Sequence, residues 1–279
     1  MRNRIISSFL LIGVIGFVLF LDATTKSDLP CGFAIGIFLM LAGIEFNRLY
    51  LKKGVLISMT ILLSSVPMLL LAQRYDAHNP EANSCLVLTF LFFAAISFVQ
   101  LLRKEVKGAT ANLAFTIFGF VYIILFGSYL YRIRFLEGGL LLLIFSVSTA
   151  KISDTGALLL GRWSGKLKLI PWISPNKTME GFMGGILAGL AFSLFTHELL
   201  AKEYFNHMTA IFFGLTIALA SVMGDLIESM LKRDSGVKES GNLFPGLGGV
   251  LDILDSLLIS APIAYYLFIF SSKINAILS

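Results

Sequence analysis

The sequence predicts an all-α, polytopic integral membrane protein with about nine transmembrane helices, the N-terminus cytoplasmic and the C-terminus outside. Three observations lead there. Hydrophobic residues make up 57% of the 279 residues and charged residues only 14%, with a mean hydropathy of +0.85. Soluble domains run near ~45–50% apolar and ~25% charged, so a surface this apolar requires lipid to cover it. Apolar runs long enough to cross a bilayer, about 20 residues each, recur at 5–21, 30–50, 54–72, 84–102, 111–131, 139–160, 181–200, 204–227 and 250–271. The basic residues between the runs sort by side, fifteen on one face and six on the other. Lys and Arg favour cytoplasmic loops, and an odd number of spans then sets the two termini on opposite faces.

Taken in order, the first run follows Arg2 and Arg4 and resembles a signal peptide. No clean small-x-small cleavage site follows Asp22, so it reads as a retained first span. The second run closes on Arg48, Lys52 and Lys53, and the fourth on Arg103, Lys104 and Lys107. Residues 1–135 therefore form an N-terminal group of five spans. Residues 136–279 form a C-terminal half of four, with cytoplasmic loops at 161–180 and 228–250. Cys31 and Cys85 show no metal or redox spacing and read as small apolar filler. The pI near 9.2 is a topology signal and implies no nucleic-acid partner, because the bases lie in short inter-span loops.

Charge within the spans marks the chemistry, since an ionisable group in the bilayer is costly and suggests function. The N-terminal half is nearly free of it. Glu45 is the main exception, expected near enough to the interface to be solvated. The C-terminal half carries three pairs spaced i, i+3: Lys151 with Asp154, Asp225 with Glu228, and Asp252 with Asp255. That spacing puts both members on one helix face, and the topology brings all three pairs to the cytoplasmic side. Clustered carboxylates suit a hard divalent cation such as Mg2+, which takes oxygen ligands together with substrate phosphates.

Between the last two pairs lies a glycine-rich basic loop, Lys232 to Gly249, with Lys232, Arg233 and Lys238. Lys and Arg make charge-assisted contacts to phosphate, and Gly248-Gly249 stand just ahead of a helix N-terminus, where an anion is favoured. A second basic stretch, Gly161 to Lys168, reads as an ordinary cytoplasmic loop. Ser174-Pro175-Asn176-Lys177-Thr178-Met179-Glu180 reads as a capped helix start, with Lys177 facing the same pocket. The chain has no Walker loop, Rossmann fingerprint or HExxH motif. His78, His197 and His207 fall in or beside outer-side loops, which argues against a histidine base.

These residues resemble a known signature. The run from Ser229 through Lys232-Arg233, Lys238-Glu239, Gly241, Phe244-Pro245, Leu247-Gly248-Gly249-Val250 and Asp252 to Asp255 resembles that of the phosphatidate cytidylyltransferases, or CDP-diacylglycerol synthases. Ser153-Asp154-Thr155-Gly156-Ala157, Gly161-Arg162, Ser174-Pro175, Lys177-Thr178 and Glu180-Gly181 support it. The likeness is specific over roughly 150–260. Three positions depart: Glu239 stands where Asp is usual, Leu247 where His is usual and Ile253 where Arg is usual.

The resemblance implies transfer from CTP to phosphatidate, giving CDP-diacylglycerol and pyrophosphate, with Mg2+ or another divalent cation. It implies a multi-pass protein of the inner cell membrane whose site faces the cytoplasm, and a homodimer. On this reading Asp225, Asp252 and Asp255 are metal ligands, and catalysis also uses Lys232. Arg233, Lys238, Ser229, Lys177, Asp154, Gly248 and Gly249 bind substrate. A CTP-dependent lipid kinase and a secondary transporter are the rival readings. The transporter would be expected to show matching broken helices in two inverted halves, whereas here the polar residues crowd into one half.

Overall fold

A computed structural model describes residues 2–79, 81–103, 106–202 and 204–278; side chains are described for 6–200, 202 and 204–271 outside the gaps. Every expected apolar run coincides with a helix: α1 (Arg2–Thr25), α2 (Leu29–Leu51), α3 (Met59–His78), α4 (Ser84–Leu102), a fifth rod, α7 (Gly139–Ser164), α8 (Met179–Thr196), α9 (His207–Asp234) and α10 (Val250–Leu278). The fifth rod comprises α5 (Ala109–Gly119), a π-helical turn (Phe120–Leu125) and α6 (Phe126–Ile133). Eight of these are long and apolar enough to cross a membrane. The helix outside that set, α3, carries Pro67 within it and Gln73, Arg74 and Asp76 near its end. It also starts at Met59, later than the run at 54–72 suggests. Residues ahead of it are held outside the helix by side chains, with Leu56 N–H donating to Asn112 Oδ1 at 2.7 Å and Ser58 N–H to Thr116 Oγ1 at 3.2 Å.

Short strands appear where a plain cytoplasmic loop was expected. In the stretch between α7 and α8, β1 (Lys168–Ile170) and β2 (Ser174–Thr178) pair antiparallel, Lys168 opposite Thr178 and Ile170 opposite Ser174. Thr178 closes the hairpin and caps α8, its Oγ1 accepting from Gly181 N–H at 3.1 Å. A capping side chain satisfies one of the orphan donors of a helix start.

The chain divides into two compact units. The first holds residues 1–135 and 234–254; the second holds 136–233 and 255–279. The glycine-rich segment that follows α9 thus packs with the N-terminal helices. In the first unit the core is aromatic and aliphatic, with Phe46, Tyr50, Leu62, Phe120 and Ile123 fully buried. Asp22 is wholly buried and ion-paired with Arg134 at 2.7 Å, and Asp28 pairs with Arg74 at 3.1 Å. Cys31 and Cys85 are free and buried, as small apolar filler would be.

In the second unit α7 and α8 pack with backbones in contact. A Cβ on Gly156 would stand 2.9 Å from the Gly184 carbonyl oxygen, and one on Gly181 would stand 2.8 Å from that of Ala157. Small residues at such crossings are what lets helices associate without a hydrophobic drive between them. α8 and α9 run antiparallel by the same device, Gly189 against Gly214 and Ala218, with Ser193 Oγ donating to the Ala210 carbonyl at 2.7 Å.

Candidate active site

Helix α9 carries Asp225 and Glu228 one turn apart, so their carboxylates share a face. Gly224 precedes them, and a Cβ there would collide with the backbone carbonyl of Asp255. Glycine therefore brings α9 and α10 close enough for three acids to meet. Asp225, Glu228 and Asp255 each offer a carboxylate oxygen within 4.8 Å of the others. Glu228 is fully buried, while the side chains of Asp225 and Asp255 are 33% and 13% exposed.

Lysines surround the acids. Lys177, reaching in from β2, has its Nζ 2.6 Å from Asp225 Oδ2. Lys232 is ion-paired with Glu228. Lys151, on α7, donates to Ser256 Oγ at 2.7 Å and stands 3.6 Å from Asp154 Oδ2 and 3.8 Å from Asp255 Oδ1. Ser221 Oγ donates to Asp154 Oδ1 at 2.5 Å, and Ser229 Oγ to Asp225 Oδ1 at 3.3 Å. Carboxylates this close in a low-dielectric site repel unless cations sit among them. Here three ammonium groups, from three different elements, provide that compensation.

Of the residues expected from the sequence, Asp225, Asp255, Asp154, Lys177, Lys232 and Ser229 come together in this unit. Arg233 lies at the end of α9, its Nε directed at the Ile173 carbonyl at 3.4 Å. Asp252, Lys238, Gly248 and Gly249 belong to the other unit. There Asp252 Oδ2 accepts from Ser240 N–H at 2.9 Å, Ser240 Oγ at 2.8 Å and Gly249 N–H at 2.8 Å. Gly248 N–H donates to the Phe244 carbonyl at 3.0 Å. Both glycine N–H groups are therefore bonded within the loop rather than turned towards a ligand. The positive φ of Gly248, 96°, makes the tight Phe244–Gly248 turn, a conformation glycine adopts without steric cost. Lys238 is exposed.

Two residues acquire a place that sequence reasoning did not give them. Glu228 appeared only as the partner of Asp225 in an i, i+3 pair; its burial makes it the innermost acid of the cluster. Glu45 was expected to be solvated near the interface, and the structure corrects this. It is 6% exposed and accepts from Val250 N–H at 3.0 Å, Leu251 N–H at 2.9 Å and Ser240 Oγ at 3.1 Å. A carboxylate from α2 thus caps the start of α10, where the helix dipole favours negative charge. Its partners lie about two hundred residues away in sequence, so no local pattern could reveal them.

An acid cluster balanced by lysines has the chemistry to hold a divalent cation and phosphate oxygens. Comparison with known proteins narrows this. The chain matches the cytidylyltransferase family over residues 2–271. It is 32% identical over 271 residues to the phosphatidate cytidylyltransferase of Bacillus subtilis (strain 168), spanning 96% of this chain and 97% of that protein. It is 30% identical over 260 residues to the phosphatidate cytidylyltransferase of Staphylococcus epidermidis (strain ATCC 12228 / FDA PCI 1200), spanning 93% and 97%. A match of 40% identity over 131 residues to the uncharacterized protein YnbB of Escherichia coli (strain K12) spans 47% of this chain and only 43% of that relative. The chain belongs to the cytidylyltransferase family, as the signature from Ser229 to Asp255 implied.

Proposed function

We propose that the chain makes CDP-diacylglycerol and pyrophosphate from CTP and phosphatidate, and that the chemistry is centred on Asp225, Glu228 and Asp255. Family membership and two near-full-length relatives named phosphatidate cytidylyltransferase support the reaction. The observation that carries the site is the set of three mutually close carboxylates surrounded by Lys151, Lys177 and Lys232.

In this reaction an oxygen of the phosphatidate phosphate forms a bond to the α-phosphorus of CTP, and the bond from that phosphorus to the α,β-bridging oxygen breaks. The nucleophile is already an anion, so no base is required, and catalysis rests on positioning and charge neutralisation. The donor set fits a hard divalent cation: three carboxylates within ligand spacing, the innermost of them the buried Glu228. Asp225, Glu228 and Asp255 would hold it. Such a cation supplies charge neutralisation at the polyphosphate. Lys177 and Lys232 provide ammonium groups beside the same acids and bind phosphate oxygens. Lys151 fixes Asp154 and Asp255 by lying between them, and Ser229 orients Asp225.

The site works at the cytoplasmic face of the inner membrane. The basic-residue asymmetry supports that side. The chain's two tryptophans are both exposed, Trp163 in the last turn of α7 and Trp172 between β1 and β2, in the same stretch of chain that carries Lys177. Tryptophan concentrates at the headgroup level of a bilayer, which is where phosphatidate presents its phosphate. Nine spans and a homodimer complete the reading. The test is pyrophosphate release by purified protein supplied with CTP, phosphatidate and Mg2+. Asp225→Asn should cut turnover by at least about two orders of magnitude, the scale of losing a main electrostatic contribution, and EDTA should silence the wild type until Mg2+ is restored. Near-normal turnover in Asp225→Asn would exclude this site.

A further inference from the structure

A second cluster lies at the other end of α9. His207 opens that helix and Asp225 lies eighteen residues further along it, about 27 Å at 1.5 Å per residue. His197 and Glu198 begin the π-helical turn (His197–Ala201) that ends α8. π-Helical turns are rare and are found disproportionately at functional sites. His197, Glu198 and His207 each offer one ligand atom, all within 4.8 Å of one another.

The hydrogen bonding of His197 decides what this cluster can do. Its ring is 3% exposed, and Nε2 lies 2.7 Å from the Phe205 carbonyl oxygen. A carbonyl only accepts, so Nε2 carries the hydrogen and Nδ1 carries the lone pair. Nδ1 is buried with no hydrogen-bond partner. The nearest charged atom, Glu198 Oε1, is 3.8 Å away, too far for a hydrogen bond, and likewise can only accept. His207 Nε2 faces that same oxygen at 2.9 Å and donates a hydrogen that a metal would displace, Lys202 Nζ holds the other carboxylate oxygen at 2.5 Å, and the two imidazole rings lie 4.6 Å apart, centroid to centroid. A buried lone pair, a carboxylate oxygen and a second imidazole thus converge. A carbonyl-backed histidine with its other nitrogen free is the usual arrangement of a metal ligand.

We propose that His197, Glu198 and His207 bind a transition-metal dication of the zinc class. Two imidazole nitrogens with one carboxylate oxygen match a zinc donor set, whereas Mg2+ selects oxygen. The ion would tie the last turn of α8 to the first turn of α9, and binding to the folded chain alone would stabilise it by mass action.

The experiment uses the full-length purified chain with any affinity tag removed, stripped by chelator and exposed to Zn2+ alone against excess Mg2+. Zinc per chain is read by mass spectrometry, and affinity by competition with a chromophoric chelator. The expected result is one zinc per chain, retained in Asp225→Asn. Affinity should fall at least about tenfold in His207→Ala and in Glu198→Gln, whose side chains are exposed enough for the fold to survive the change. Zn2+ should also raise the thermal midpoint of the wild type and leave that of His207→Ala unmoved. A wild-type chain that retains no zinc would overturn the site, as would a His207→Ala, Glu198→Gln double variant that binds like the wild type.

Discussion

Lys177 and Lys168 differ by nine positions and lie on the same hairpin, yet they have different chemical surroundings. Lys177 contacts Asp225 at 2.6 Å, whereas Lys168 is exposed on β1. Lys177→Ala should therefore lower turnover at least about tenfold, chiefly by raising the CTP requirement, while Lys168→Ala changes little; a steady-state comparison of the two variants checks this. Glu45 acts through the backbone. Removing its carboxylate leaves Val250 N–H and Leu251 N–H short of an acceptor, and a buried unsatisfied group costs about 1–3 kcal/mol. Glu45→Ala should lose at least about 2 kcal/mol of stability, seen as a lower thermal midpoint, with partial recovery in Glu45→Gln, which keeps one oxygen. An unchanged midpoint in Glu45→Ala would contradict the capping role. The Ser240 hydroxyl has a single hydrogen and two carboxylates near it, Asp252 at 2.8 Å and Glu45 at 3.1 Å, so the loop holds two acids in one hydrogen-bonded group.

Helices were legible wherever apolar runs were long, because the signal is local: about 20 residues span a bilayer whatever they pack against. The i, i+3 acid pairs were legible for the same reason. What could not be read was which pair faces which. Asp252 and Asp255 sit less than a turn apart on α10, and their assignment to different surroundings depends on where Gly224 and Ser240 come to rest. The β1–β2 hairpin was also hidden, since Ser174-Pro175-Asn176-Lys177-Thr178 has neither alternation nor a run of β-branched residues. At this scale Gly224 is the sharpest test. A Cβ there meets backbone, which cannot swing away, whereas at Gly236 nothing lies within 4 Å. Gly224→Ala should force α9 off α10, at a cost of about 1–3 kcal/mol, and depress turnover several-fold. Equal turnover in Gly224→Ala and wild type would mean that the close approach is dispensable.

For the molecule in its membrane, the account requires Gly236, just past α9, to be reachable from the cytoplasm and Lys202, just before it, from outside. Cysteines placed at those two positions should label from opposite faces with an impermeant reagent, and the native Cys31 and Cys85 are buried and should stay silent. Labelling of both from one face would break the nine-span reading. The reaction itself is decided by the fate of the phosphorus atoms. Purified protein given phosphatidate, Mg2+ and CTP labelled at either the α- or the γ-phosphate should place the α label in the lipid product and release the γ label as pyrophosphate. A γ label carried onto a lipid acceptor, with CDP released, would contradict cytidylyl transfer and make the chain a CTP-dependent lipid kinase.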